Sequence, residues 1–206
     1  MIVLPAAYFP PIPWFGAVLG KKEVLIEIWQ HYRKQQYTSR MFIRSANRVL
    51  PLSIPVARRG RKMSIKDKKI SYQEDWQKQH WISLLSAYRN SPYFLYYEDE
   101  LQAIYQSKPV YLLEFQQTCL DFLLQKLNLS IAYSYTNEYQ EENYYGEKDL
   151  RRDFGSQPSD SPDWYNAKSY PQVFEGFEPG LSALDLLFNE GPESQRIIKE
   201  GMISLQ

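Results

Sequence analysis

The chain has 206 residues, with 24 Lys+Arg against 24 Asp+Glu and a single cysteine. A chain of this size buries about 70% of its unfolded surface without disulfides or metal, and one Cys excludes a disulfide framework and a Cys-rich zinc site. A net charge of zero argues against a dedicated nucleic-acid binder, whose charge would tilt basic. The unusual figure is 16% aromatic residues, including 17 Tyr and 5 Trp. Tyr and Trp join large contact area to a polar tip, which suits cores, sugar sites and protein interfaces, and is compatible with a homodimer.

The N-terminus lacks a basic segment, and Pro5, Pro10 and Pro11 interrupt its apolar run, so it does not read as a signal peptide. No stretch reaches the ~18 apolar residues of a membrane span. Together with the lone Cys119, this predicts a cytoplasmic protein with no membrane span.

In chain order, residues 2–7 read as a buried strand, Pro11 and Pro13 lead into a short helix near 13–19, and 23–29 form a second strand with Glu27 among apolar neighbours. Residues 40–47 and 50–57 read as two more strands joined by a turn at Asn47-Arg48, the second demoted to an edge by Pro51 and Pro55. Residues 58–69 hold seven Lys/Arg and one Asp. That run reads first as a solvated loop and secondly as a phosphate-binding patch. Helices follow at 75–89, 97–107 and 110–127, with Cys119 on the core stripe of the third, and Ile131–Tyr135 suits a strand.

Residues 137–172 contain one branched aliphatic, Leu150, among many Glu, Asp, Tyr, Ser and Pro; they read as a loop or lid that docks through its aromatics. Helices at 181–189 and about 193–203 close the chain. The expected fold is α/β: a small mixed β-sheet from the N-terminal third, packed by helices from the middle and C-terminal parts. It forms one domain over 1–206, and a Rossmann-like topology is one option for the sheet.

No P-loop, G-x-G-x-x-G, H-E-x-x-H or G-x-S-x-G is present, so the sequence identifies no cofactor. Two His residues weigh against a multi-His metal site. Ser182, Asp185 and Asn189 fall within about 60° of one another on a helix, beside Leu181, which makes them either a polar row facing a cleft or a structural network. His80, one turn from Trp76 and Leu84, is either a general base or a core-rim histidine satisfied by a carbonyl. His31-Tyr32-Arg33-Lys34 leaves the second strand, where ligand sites of α/β folds gather. Arg40 and Arg44 share a parity on one strand and suit a carboxylate or phosphate. A closed pocket joining His80, Arg40 and Asp185 would favour an enzyme; the same groups locked in internal bonds would favour a structural role.

Several segments together resemble the bacterial WbqC-like family in its shorter form. They are Ala7-Tyr8-Phe9-Pro10-Pro11-Ile12-Pro13-Trp14-Phe15; the run from His31 through Tyr37 to Arg40; Ala46-Asn47; Leu52-Ser53-Ile54-Pro55-Val56; Trp76, His80-Trp81, Ala87-Tyr88 and Ser91-Pro92-Tyr93-Phe94; and Tyr170-Pro171-Gln172, Phe177, Pro179 and Leu181 to Gly191. The chain departs from the family pattern at Gln30, where relatives often carry Glu, at Thr38-Ser39 in place of Arg-Asn, and at Arg48 in place of a turn Gly. The resemblance implies a link to surface-polysaccharide (O-antigen) biosynthesis, and a group transferase acting on an amino sugar or nucleotide sugar. Under that reading His80 or Asp185 is the general base. Lys34, Arg40 and Arg44 hold a phosphate or carboxylate, Tyr8 and Trp14 line the sugar or base pocket, and His31, Ser182 and Asn189 complete the binding set. The alternative is a non-catalytic binding or scaffold protein of the same pathway.

Overall fold

The computed structural model describes residues 1–57, 63–141 and 144–203. The chain is α/β, as its pattern predicts, but its strands divide into two sheets. Strand β1 (Ile2–Pro5), helix α1 (Ile12–Val18) and strand β2 (Val24–Glu27) form a β-α-β unit, with β1 parallel to β2 from Ile2↔Val24 to Pro5↔Glu27. Strand β5 (Tyr133–Tyr135) joins the other side of β2, again parallel. The order is β1-β2-β5. The run Ile-Val-Leu of β1 is unbroken rather than alternating, as a strand covered on both faces requires. Every residue of α1 is buried, so its sequence is apolar all round. Gly16 is needed there for close approach, because a Cβ would lie 2.8 Å from Met202 Sδ and 3.0 Å from the Tyr165 ring.

The second sheet is the antiparallel hairpin of β3 (Arg40–Arg44) and β4 (Val49–Ser53). Pro51 is tolerated because β4 pairs with β3 alone. The sheet drawn from the N-terminal third in the sequence reading is therefore a hairpin plus a parallel sheet completed from residue 133. The hairpin is local, whereas β5 reaches β2 only after three helices, α2 (Trp76–Tyr88), α3 (Phe94–Gln106) and α4 (Leu112–Lys126). Helices α5 (Ala183–Glu190) and α6 (Ser194–Glu200) finish the fold.

The core joins these parts. Phe188 on α5 packs at 5.1 Å from the rings of both Tyr88 and Phe94. Cys119 is fully buried in the α4 stripe, where burial pushes its thiol up and leaves no reactive thiolate. The 137–172 segment docks: Leu150 N donates to Val3 O, Tyr165 and Tyr170 are buried, and Trp164 Nε1 donates to Asp153. Residues 58–62 of the basic run lie outside the described residues. The rest of that run includes a 3-10 turn at Ile65–Asp67, with Lys66 Nζ 3.4 Å above the Trp29 ring.

Candidate functional site

The carboxyl ends of the three parallel strands open on one cleft of about 630 Å³, a volume in the range of small-molecule sites. Pro5 ends β1, Gln30 and His31 follow β2, and Tyr139 follows β5; all four line the cleft. Arg33, Gln36, Tyr37 and Thr38 form another wall, and Arg151, Arg152, Phe154 and the 155–160 turn close it. Ligands of open parallel sheets bind in this crevice because each strand ends there and hands over to a loop.

Glu27 and Arg151 set the frame. Glu27 is fully buried. Its Oε1 accepts from Trp29 N (2.6 Å), Gln30 N (3.2 Å) and Thr136 Oγ1 (3.3 Å), and its Oε2 from Arg151 Nη1 (3.2 Å). The carboxylate thus folds the chain sharply after β2 and directs His31 into the cleft. Arg151 spends all five guanidinium N–H groups: Nε on Asp149 Oδ1 (2.7 Å), Nη1 on Glu27 and on Gln140 O (2.9 Å), Nη2 on Asp149 Oδ2 (2.6 Å) and on Glu141 O (2.7 Å). Its hydrogen bonds to Asp149 raise it above the ordinary guanidinium range, partly opposed by burial. Arg151 therefore builds the wall rather than offering a free charge. Sequence reasoning noticed Glu27 but not Arg151, since nothing in the local pattern pairs residues 124 apart.

The far wall is held as tightly. Asp160 Oδ2 accepts from Ser156 N and Gln157 N at 2.9 and 3.0 Å. The Tyr37 hydroxyl donates to Gly180 O (3.4 Å), and burial, then the nearby Asp160 charge, push its phenol up. Gln116 Nε2 donates to Thr38 O. Gln35 occupies the left-handed region at φ 65°, a strained conformation that the surrounding bonds must hold.

Of the ten residues singled out from the sequence, His31 lines this cleft and the other nine do not. His80 is 4% exposed. Its Nδ1 is 2.9 Å from the Tyr8 hydroxyl, which also meets the Tyr105 hydroxyl at 2.5 Å. Burial lowers its imidazole to about 4, partly opposed by a hydrogen bond to the Ser53 backbone. Trp14 is buried with Nε1 on Pro5 O (3.1 Å).

Asp185 is fully buried and accepts from Tyr88 (2.9 Å), Tyr170 (2.6 Å) and Gln172 (3.0 Å). Burial raises its carboxyl, and these hydrogen bonds, with the Arg44 charge, pull it back. Arg44 pairs with Glu178 (2.7 Å) and donates to Glu175 O (3.0 Å). Ser182 caps α5 by accepting from Leu184 N, and Asn189 Nδ2 donates to Asp185 O (2.7 Å). The polar row is therefore an internal network that pins the 170–178 segment to α2, α5 and β3. Arg40 Nε donates to Ser53 Oγ (2.9 Å), and Lys34 is exposed. The cleft reaches none of His80, Arg40 and Asp185, and no cluster of three or more His, Cys, Asp and Glu suited to a metal occurs among the described residues.

A parallel-stranded α/β fold with a polar crevice at its strand ends is the architecture of many small-molecule proteins. The comparisons narrow this. The WbqC-like protein family matches residues 6–156 and 161–197, and the chain belongs to that family. It is 26% identical over 225 aligned residues to the uncharacterized protein Rv1507c of Mycobacterium tuberculosis, covering 93% of this chain and 94% of the relative. No solved structure matches. The matched region contains every cleft-lining residue except Pro5 and Asp160. Two positions where the chain departs from the family pattern, Gln30 and Thr38, lie in the cleft lining. No helix among the described residues is long and apolar enough to cross a membrane.

Proposed function

We propose that the chain is a group transferase of surface-polysaccharide biosynthesis acting on an amino sugar or nucleotide sugar, and that the substrate binds in the cleft at the strand ends. His31 and Arg33 carry this reading. Both are exposed on the cleft wall, and among the described residues neither side chain has a hydrogen bond or ion pair. An imidazole is suited to take a proton from an attacking amine or hydroxyl, and a guanidinium to hold a phosphate or carboxylate. Gln30, Gln36 and Thr38 supply amide and hydroxyl groups for sugar hydroxyls. The link to polysaccharide biosynthesis comes from the family resemblance.

A thermal-shift screen with UDP- and dTDP-linked amino sugars tests this. A ligand that binds only the native state stabilises it, by about 2.7 kcal/mol at a hundred times Kd. The shift should vanish in Arg33→Ala and weaken in His31→Gln, and turnover should vanish in His31→Gln. A shift that survives both substitutions, or no shift with any of these sugars, overturns the reading. The second reading, a non-catalytic binding or scaffold protein, draws support from the internal locking of His80 and Asp185. It predicts a ligand shift without turnover.

A further inference from the structure

Tyr139 differs from the other aromatic residues of the cleft. Tyr37 is 6% exposed and its ring packs edge-on against Phe42 at 5.5 Å. Phe154 packs edge-on against Trp164 at 6.2 Å. Tyr139 lines the same cleft but is 52% exposed. Among the described residues its ring meets no other ring and its hydroxyl makes no hydrogen bond. Covering such a face with a ligand is favourable.

The backbone that carries this ring is held on both sides. Before it, Thr136 N donates to Ile26 O (3.0 Å), and Thr136 O accepts from Trp29 Nε1 (2.7 Å). After it, Gln140 O and Glu141 O accept from Arg151 at 2.9 and 2.7 Å. The side chains of its two neighbours also meet, Gln140 Nε2 donating to Glu138 Oε1 (2.8 Å). The buried Arg151, itself fixed by Glu27 and Asp149, thereby anchors the loop. An aromatic on an anchored backbone loses little freedom when a ligand stacks on it.

Given the substrate cleft proposed above, on which this rests, we infer that Tyr139 is the stacking platform for the base of a nucleotide, so that the cleft takes the nucleotide-linked form of its sugar. The lining is divided between two loops. The loop after β2 brings Arg33, suited to phosphates, and Gln30, Gln36 and Thr38, whose amides and hydroxyl suit sugar hydroxyls. The loop after β5 brings the flat π face of Tyr139, which suits a base. A cleft of about 630 Å³ has room for a drug-sized ligand and not only for one hexose. The ring rather than the hydroxyl makes the contact.

The test is calorimetric titration of UDP, dTDP and inorganic diphosphate into the full chain, with proton NMR of the bound nucleotides. The nucleotides should bind about tenfold tighter than diphosphate. Tyr139→Ala should abolish that gap and leave diphosphate binding unchanged, whereas Tyr139→Phe should keep it. The base protons of bound UDP should shift upfield under the tyrosine ring, and the shift should vanish in Tyr139→Ala. Because Tyr139 is exposed, that variant should melt with the parent chain. Nucleotides that need Arg33 but bind no tighter than diphosphate, a gap that survives Tyr139→Ala, or base protons that do not shift overturn the inference and leave the cleft reading standing. A gap lost in Tyr139→Phe as well assigns the contact to the hydroxyl and also overturns stacking. If no probe binds, or if binding survives Arg33→Ala, the cleft reading fails and the inference with it.

Discussion

Arg151 and Glu27 meet at 3.2 Å across 124 residues of sequence, both side chains 1% exposed or less. The pair fastens the loop-rich segment after residue 137 to the carboxyl end of the central strand, and so builds one corner of the cleft. Breaking a buried pair strands the other charge, which costs about 3–5 kcal/mol. Arg151→Met and Glu27→Gln should each lower stability by roughly that amount. Urea denaturation checks this, and the double variant should cost less than the sum of the two singles.

His80 carries a pH prediction. Its folded value of about 4 lies below the ordinary 6.5 of an imidazole because it is buried. Between those values the unfolded chain binds a proton that the folded chain refuses. Its contribution to stability is therefore complete above pH ~6.5 and is lost as pH falls toward 4, by about 3 kcal/mol in all. His80→Gln should flatten the stability profile across that window, while ligand-induced shifts at neutral pH stay unchanged. Thermal melts from pH 4 to 7 decide it.

Asp185 is the shared acceptor of two tyrosine hydroxyls and the Gln172 amide. Asp185→Ala leaves the two buried hydroxyls of Tyr88 and Tyr170 without their acceptor, and should cost about 3 kcal/mol. Limited proteolysis should then cut within 170–178, the segment that this network holds. Ligand binding by the surviving folded fraction should match that of the parent chain.

Gly180 has φ +70°, and a Cβ there would come 2.1 Å from Pro158 O. Gly180→Ala should lose about 2–4 kcal/mol and displace the 155–160 turn that walls the cleft. Both losses should appear together, as a lower Tm and a smaller ligand shift.

Much of the fold was legible locally. The apolar run of β1, the prolines before α1 and the helical stripes of α2 to α4 each follow from side-chain period and backbone restriction, and the structure places these elements within a few residues of where the sequence does. The family motifs were legible as well. Within the run from His31 to Tyr37, His31, Arg33, Gln36 and Tyr37 proved to be cleft wall, whereas Leu181 to Asn189 proved to be core.

The sequence by itself determined the α/β class, the elements, the buried Cys119 and the docking of the aromatic-rich segment after residue 137. Those outcomes depend on periodicity and composition, which act over a few turns of chain. Only the tertiary structure decided that β5 completes the parallel sheet, that His80 and Asp185 are sealed in separate networks, and that Arg151 is consumed by five acceptors. Whether a polar side chain meets a ligand or an internal partner depends on groups far away in sequence. The partners of the Asp185 carboxylate sit 13 to 97 residues from it, a distance over which local pattern carries no information.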